Sequence, residues 1–183
     1  MTTMLNDYEY VREHVRMIPD FPKKGIMFLD ITTAVKDSKS MQMMTDFLYE
    51  KFKDEKVDYV AGIESRGFIF GAALAYKLGC GFITVRKPNK LPAKTISESY
   101  TLEYGTSTIE IHEDALKKGD RVVVIDDLLA TGGTAIAACN LIKRVGAEVV
   151  STAFIIELNP LKGREKIESK GFKVVSMLNY DLD

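Results

Sequence analysis

The sequence predicts an α/β domain built on a central, mostly parallel sheet flanked by helices. Two observations carry that expectation. The run Val122-Val123-Val124-Ile125 is apolar at every position, as in strands buried on both faces of a parallel sheet. The unit strand, tight loop, helix, strand then occurs twice, from Val57 to Val85 and from Arg121 to Ile156. That alternation places helices on both faces of one sheet. Ligands of such sheets bind at the carboxyl ends of the strands, so the loops after the two leading strands are where function is sought.

The elements follow in order. Leu5 to Met17 reads as a polar helix, broken by Pro19-Asp20-Phe21-Pro22. Gly25 to Ile31 reads as extended. Met41, Met44, Leu48 and Phe52 recur at spacings of three and four, predicting a helix from about Ser40 to Phe52 whose methionines fill core. Val57 to Ile63 is a strand, Glu64-Ser65-Arg66-Gly67 a turn, Phe68 to Leu78 an apolar helix closed by Gly79, and Phe82 to Val85 the next strand. In the second unit, Arg121 to Ile125 is a strand, a loop runs to Gly133, and a helix from Thr134 to Val145 is closed by Gly146. A strand from Glu148 to Ile156 follows. Between the units, Arg86 to Ser107 holds two prolines, three lysines and a Ser/Thr-rich run before Thr108-Ile109-Glu110-Ile111 alternates. More than about twenty irregular residues inside a domain point to a functional loop, read here as a mobile flap with a hairpin turning at Gly105.

Composition excludes several classes. The 183 residues suit one domain with a real core, and a net charge of -1 gives no basic excess for nucleic acid. Cys80 and Cys139 form no Cys-x-x-Cys pair, which fits a reducing compartment. The acidic N-terminus lacks the apolar core of a signal peptide, and no apolar run approaches the ~18 to 20 residues of a membrane span. A cytoplasmic location is expected.

The strongest motif runs Val122-Val-Val-Ile-Asp-Asp-Leu-Leu-Ala-Thr-Gly-Gly-Thr134. A buried strand delivers Asp126 and Asp127 to the sheet's edge, where ionised carboxylates accept hydrogen bonds from donors such as vicinal ribose hydroxyls. Ala130, Thr131, Gly132, Gly133 and Thr134 then wrap into a helix N-terminus, whose free N–H groups and dipole favour a phosphate. The two glycines let backbone approach closely, and the threonines add hydroxyl donors. Taken alone, either aspartate reads as a cap or turn residue; the acid pair, glycine pair and threonines together point to a ribose phosphate. No lysine stands where a Walker A loop needs one, and the acids precede the glycines, unlike a dinucleotide fingerprint.

This segment resembles the ribose-phosphate signature of the type I phosphoribosyltransferases, and most of the chain is similar to the branch of that family that acts on adenine. The matching pieces are Phe21-Pro22-x-x-Gly25-Ile26-x-Phe28-x-Asp30-Ile31-Thr32, Gly62-Ile-Glu-Ser-Arg-Gly-Phe68, Arg86-Lys87, Lys90-Leu91-Pro92, Tyr100-x-Leu102-Glu103-Tyr104-Gly105 and Leu161-Lys-Gly-Arg-Glu-Lys166. They span about residues 19 to 166, and the first and fifth select adenine. The resemblance implies a single domain over 1–183, with an N-terminal hood over about 1–33, a core over 34–183 and a flexible flap over 87–107.

It further implies transfer of the 5-phosphoribosyl group from phosphoribosyl diphosphate to adenine, giving AMP and diphosphate in purine salvage, with Mg²⁺ carried by the diphosphate and no dedicated protein metal site. Asp126 and Asp127 would hold the ribose, and Ala130 to Thr134 its 5′-phosphate. Ser65, Arg66, Arg86, Lys87, Lys90 and Tyr104 would hold the diphosphate, whose charges suit an arginine fork. In the family the peptide corresponding to Glu64–Ser65 is often cis. Phe28 would stack on adenine beside Leu128 and Leu158, with backbone near Met27 and Leu29 reading its polar edge. Glu103 on the flap would orient the base or move its proton; with Arg66, Asp126 and Asp127 it completes the expected catalytic group. A homodimer is implied, with apolar residues around Phe68 to Tyr76 as its interface. Lys24 and Leu29 depart from the family's usual proline and basic residue; backbone contacts to the base should preserve activity.

The plainer readings stand beside these. Phe28 in isolation is core, and Glu103 a solvated strand residue. Arg66 could be a surface ion pair, although a cation beside a helix N-terminus is unfavourable unless an anion sits there. His14 and His112 read as surface residues without metal partners, and Lys143-Arg144 and the charges from Lys162 to Lys170 as solvated helix faces. A hypoxanthine or guanine enzyme would need a lysine after the ribose-phosphate helix that is not seen. A sensor of phosphoribosyl diphosphate would need an added DNA-binding module.

Overall fold

The apolar runs assemble into a five-stranded sheet in which every neighbouring pair is parallel. The computed structural model describes residues 2–102 and 105–182. In chain order the sheet strands are β3 (Tyr59–Ile63), β4 (Gly81–Val85), β7 (Arg121–Leu129), β8 (Glu148–Leu158) and β9 (Val174–Tyr180), arranged β4-β3-β7-β8-β9. The four residues Val122 to Ile125 in the central strand are 0% exposed, as their unbroken hydrophobicity requires.

Side-chain alternation along β7 divides the interior in two. Val123 and Ile125 face one cluster, with Val11 and Val15 at the N-terminus, Met44, Leu48 and Phe52 of α3 (Ser38–Phe52), and Phe70 and Leu74 of α4 (Gly67–Leu78). Val122 and Val124 face the other, with Ala138, Leu141 and Ile142 of α5 (Gly133–Arg144) and Ile167 of α6 (Gly163–Glu168). The sheet is therefore covered on both faces, and α4 and α5 each begin just beyond the carboxyl end of a strand.

Several boundaries differ from the sequence reading. The first helix, α1, is Thr2–His14 and stops before Met17, because Arg16–Ile18 forms β1 and pairs antiparallel with β2 (Phe28–Asp30). The Arg16 guanidinium donates to the Asp30 carboxylate at 2.5 Å, a partner fourteen residues away that local periodicity does not reveal. A short helix, α2 (Thr32–Lys36), precedes α3, and the Asp37 carboxylate caps α3 by accepting from the Ser40 N–H. The segment expected to be irregular from Arg86 to Ser107 is largely a hairpin: β5 (Thr95–Leu102) pairs with β6 (Gly105–His112) from Thr95↔His112 to Leu102↔Gly105. Its polar Ser/Thr positions alternate with Ile96 and Tyr100, which pack on the second core cluster; that period of two is masked by Glu98 between them. β9 and the short helix α6 complete the fold beyond β8.

Candidate active site

β7 carries the site's acids out of the sheet. The Asp127 side chain is 6% exposed and accepts from Nε of Arg66, the residue that leads into α4. Asp126 accepts from the Asp127 backbone N–H at 2.9 Å. Burial of the Asp126 carboxylate, followed by the adjacent Asp127 charge, pushes its pKa well above the ordinary carboxylate range. The pair is thus unequal, with one carboxylate held by an arginine and its neighbour reluctant to ionise.

Two cavities meet at Asp126. One, of about 230 Å³, is lined by Glu64, Ser65, Arg66, Lys87, Asp126 and Asp127. The other, of about 170 Å³, is lined by Asp126, Leu128, the turn from Ala130 to Thr134, and Phe154. A wall that sets the basic groups of Arg66 and Lys87 among three carboxylates therefore closes one end, and a helix N-terminus the other. At that end α5 has no side-chain cap, its N-cap Gly132 being left-handed at φ +78°, so the first-turn N–H groups remain available to an anion. Size alone does not single out this place: a cavity of about 610 Å³ lies at the far end of the strands, against Ser151 and Val174. The convergence of charge and free N–H groups does.

The basic wall is organised by Glu64, which the sequence reading did not single out. Its carboxylate accepts from Arg86 Nε at 3.1 Å and from the Lys87 N–H at 3.0 Å. Arg86 also donates to the Lys90 carbonyl at 3.1 Å. The Glu64–Ser65 peptide is cis. The hairpin closes over the Ala130–Thr134 turn, where Tyr100 lies against Gly133 and its hydroxyl accepts from Thr134 at 3.1 Å. Arg144 donates to Glu98 and to the Ser97 carbonyl, and Asn140 also donates to Glu98, so exposed side chains of α5 tether the hairpin. Arg144 is not merely solvated, as its charge suggested. Glu103 and Tyr104 lie outside the described residues.

In the N-terminal segment, Phe28 is half-buried and meets Phe21 edge-on, ring centroids 5.0 Å apart. Asp20 accepts from the Gly25 N–H at 2.7 Å, closing the loop between them. Asp30 is held at a pKa of about 2, first by the Thr32 hydroxyl and then by Arg16. Met27 is half-buried, as are Leu128 and Leu158, which pack on the first core cluster. The Leu29 side chain is 4% exposed within that cluster, because β2 alternates and residue 29 points inward. Only its backbone remains for a base. His14 and His112 are half-buried, with His14 Nδ1 2.8 Å from the Tyr10 carbonyl oxygen. Arg164 is no solvated helix charge either, since its guanidinium forks onto Glu157.

Residues 32–181 match the phosphoribosyl transferase domain family, and the chain belongs to that family. Within it, the similar proteins are adenine phosphoribosyltransferases. That of Syntrophotalea carbinolica is 56% identical over 94% of this chain and 99% of its own. That of Chlorobium luteolum is 54% identical over 93% and 98%. The solved adenine phosphoribosyltransferase of Thermoanaerobacter pseudethanolicus superposes with a TM-score of 0.90 at 48% identity, covering 94% of this chain and 99% of that one. The Saccharomyces cerevisiae enzyme, solved with adenine and an imino-altritol bisphosphate, superposes at 0.88 with 36% identity, covering 95% and 99%.

Proposed function

We infer that this site transfers the 5-phosphoribosyl group from phosphoribosyl diphosphate to adenine, giving AMP and diphosphate in purine salvage. The observation that carries the reading is the pair of cavities sharing Asp126, one ending in Arg66 and Lys87 and the other in the N-terminus of α5. A ribose with an anion at each end matches that arrangement.

The 5′-phosphate lies on the Ala130–Thr134 turn, receiving first-turn N–H bonds. Ribose hydroxyls donate to Asp126 and Asp127. Asp127 is held by Arg66; as Arg66 turns to the diphosphate, the hydroxyls take its place on the carboxylate, so that neither charge is left unpaired. Ser65, Arg86, Lys87 and Lys90, with Tyr104, complete the clamp on the leaving group. The C1′–oxygen bond to diphosphate breaks as C1′ bonds to the adenine ring nitrogen. Positive charge developing on the sugar is stabilised by the neighbouring Asp127 carboxylate, and negative charge on the leaving oxygens by the arginines. Glu103 orients the base and receives the ring proton. Adenine stacks on Phe28 between Leu128 and Leu158, with its polar edge on backbone at Met27 and Leu29.

Among the described residues no group of three or more His, Cys, Asp or Glu stands where it could hold a metal ion. We assign Mg²⁺ to the substrate's diphosphate, where the ion would withdraw charge from the leaving oxygens. Ile69 and Tyr76, 38% and 88% exposed on α4, form the apolar face proposed for a homodimer; light scattering giving only a 20.5 kDa particle would contradict it. No helix among the described residues is long and apolar enough to cross a membrane, and the free thiols of Cys80 and Cys139 suit the reducing cytoplasm.

The test is diphosphate release from phosphoribosyl diphosphate with Mg²⁺ and each purine base separately, for the native chain and an Asp126→Asn/Asp127→Asn variant. Release with adenine alone, lost in the variant, is expected. Release with hypoxanthine or guanine would overturn the base assignment. Tight binding without release would favour a sensor.

A further inference from the structure

The turn that receives the 5′-phosphate does not stand by itself. A Cβ on Gly163, the first residue of α6, would lie 2.2 Å from the Ala130 carbonyl oxygen and 2.7 Å from Leu129 Cδ1. A Cβ on Gly132 would in turn lie 2.9 Å from the Gly163 carbonyl oxygen and 3.1 Å from Ile167 Cγ1. The two backbones interlock, with no side chain between them to absorb a shift. The path of the turn therefore depends on where α6 begins.

A helix of six residues entered through Lys162 at φ +53° is too short to fix its own position. Arg164 fixes it. Its Nε donates to Glu157 Oε1 at 2.9 Å and Nη2 to Oε2 at 2.5 Å, Nη1 reaches the Val174 carbonyl at 2.9 Å, and Nη2 also donates to Ser176 Oγ at 2.8 Å. Ser176 donates to the same Glu157 oxygen at 2.5 Å. Glu157 is 4% exposed and pairs in the sheet with Leu129, the residue before the phosphate turn. Stability alone does not account for such a network, since desolvating the Glu157 carboxylate offsets much of what its pairing contributes. What a planar fork adds is a fixed direction.

We propose that Arg164 is a positioning residue for the 5′-phosphate: through Glu157 and Ser176 it sets α6 so that Gly163 holds the Ala130–Gly132 backbone in its phosphate-binding path. The assignment rests on the function proposed above. It gives α6 a part in recognising the ribose phosphate without touching it.

The experiment compares AMP with adenosine, which differ only in the 5′-phosphate, on the full chain by calorimetry or competition. Arg164→Lys keeps the charge and removes the fork. It is expected to weaken AMP by on the order of tenfold to a hundredfold, the scale of a misplacement of about 1 Å, while adenosine changes less than about twofold by the same argument. The KM for phosphoribosyl diphosphate rises and that for adenine does not. Glu157→Gln, which keeps the size of the acceptor, shows the same selective loss and decides the matter should Arg164→Lys fail to fold. Equal weakening of AMP and adenosine, or no change in either, would overturn the proposal. A native chain that binds AMP no better than adenosine would instead overturn the reading beneath it, and the proposal with it.

Discussion

Replacing Arg66 by Met removes a charge whose partner cannot follow it into solvent. The Asp127 side chain is 6% exposed and that of Arg66 47% exposed; Arg66 is the one cation paired with the Asp127 carboxylate among the described residues. Breaking a fully buried pair costs about 3–5 kcal/mol, and breaking an exposed one about 0–1 kcal/mol. With one end buried and the other in water, roughly 2 kcal/mol is expected, a fall in Tm of about 4–8 °C for a chain of this length. Activity falls further, by about a hundredfold to a thousandfold, as for loss of one donor to a developing oxyanion. Arg66→Met/Asp127→Asn removes the stranded charge as well, so it should regain most of the stability and none of the activity. Scanning calorimetry of the native chain, both single variants and the double variant closes the cycle, with an expected coupling of about 1–2 kcal/mol. Strictly additive effects on Tm would refute the argument, since they would mean that Asp127 is solvated without Arg66.

Asp126→Asn should raise Tm while weakening ribose phosphate binding, because it removes a desolvated carboxylate beside a second one. The folded pKa of Asp126 is raised, so its contribution to stability is complete below the unfolded value of about 3.9 and is lost as pH rises through the folded value. The Tm advantage of Asp126→Asn should therefore grow from about pH 4 upward and then level off; an offset independent of pH would sink the assignment. Gly67→Ala would set a Cβ 2.7 Å from the Ile125 carbonyl oxygen, and a loss of about 1–3 kcal/mol in denaturant melts is expected, since backbone on both sides cannot yield. Tyr100→Phe removes the hydrogen bond to Thr134; about 1 kcal/mol of stability should go, with faster amide exchange in β5 as the check. Chelation of Mg²⁺ should abolish turnover and leave the ligand-free Tm unchanged. A fall in Tm would mean that the protein itself binds the ion.

Much of this was legible in the chain alone. The unbroken apolar run of Val122 to Ile125 has no stable place except the middle of a parallel sheet, and the acids and glycines that follow it mark a strand end leading into a helix N-terminus. Such features are local: each rests on residues adjacent in sequence, whose burial and conformation are dictated by their own chemistry. The hairpin of β5 and β6 was only half legible, since Ile96 and Tyr100 keep a period of two that charged and hydroxylated neighbours disguise.

What the tertiary structure decided was which distant groups meet. Nothing around Arg16 indicates that Asp30 will draw it out of a helix into β1. Nothing around Leu29 shows that β2 will turn its side chain into the core. Arg66 was expected at the diphosphate, and the fold also brings it onto Asp127, sixty-one residues away. Glu64 and Glu157 resembled ordinary acids in their segments, and only folding took them partly or wholly out of solvent, where a carboxylate must find a partner, Arg86 in one case and Arg164 in the other. Periodicity and turn chemistry are properties of neighbouring residues and so are written in the sequence. Compensation of a buried charge depends on two stretches of chain arriving at one place, and only the packed fold brings them there.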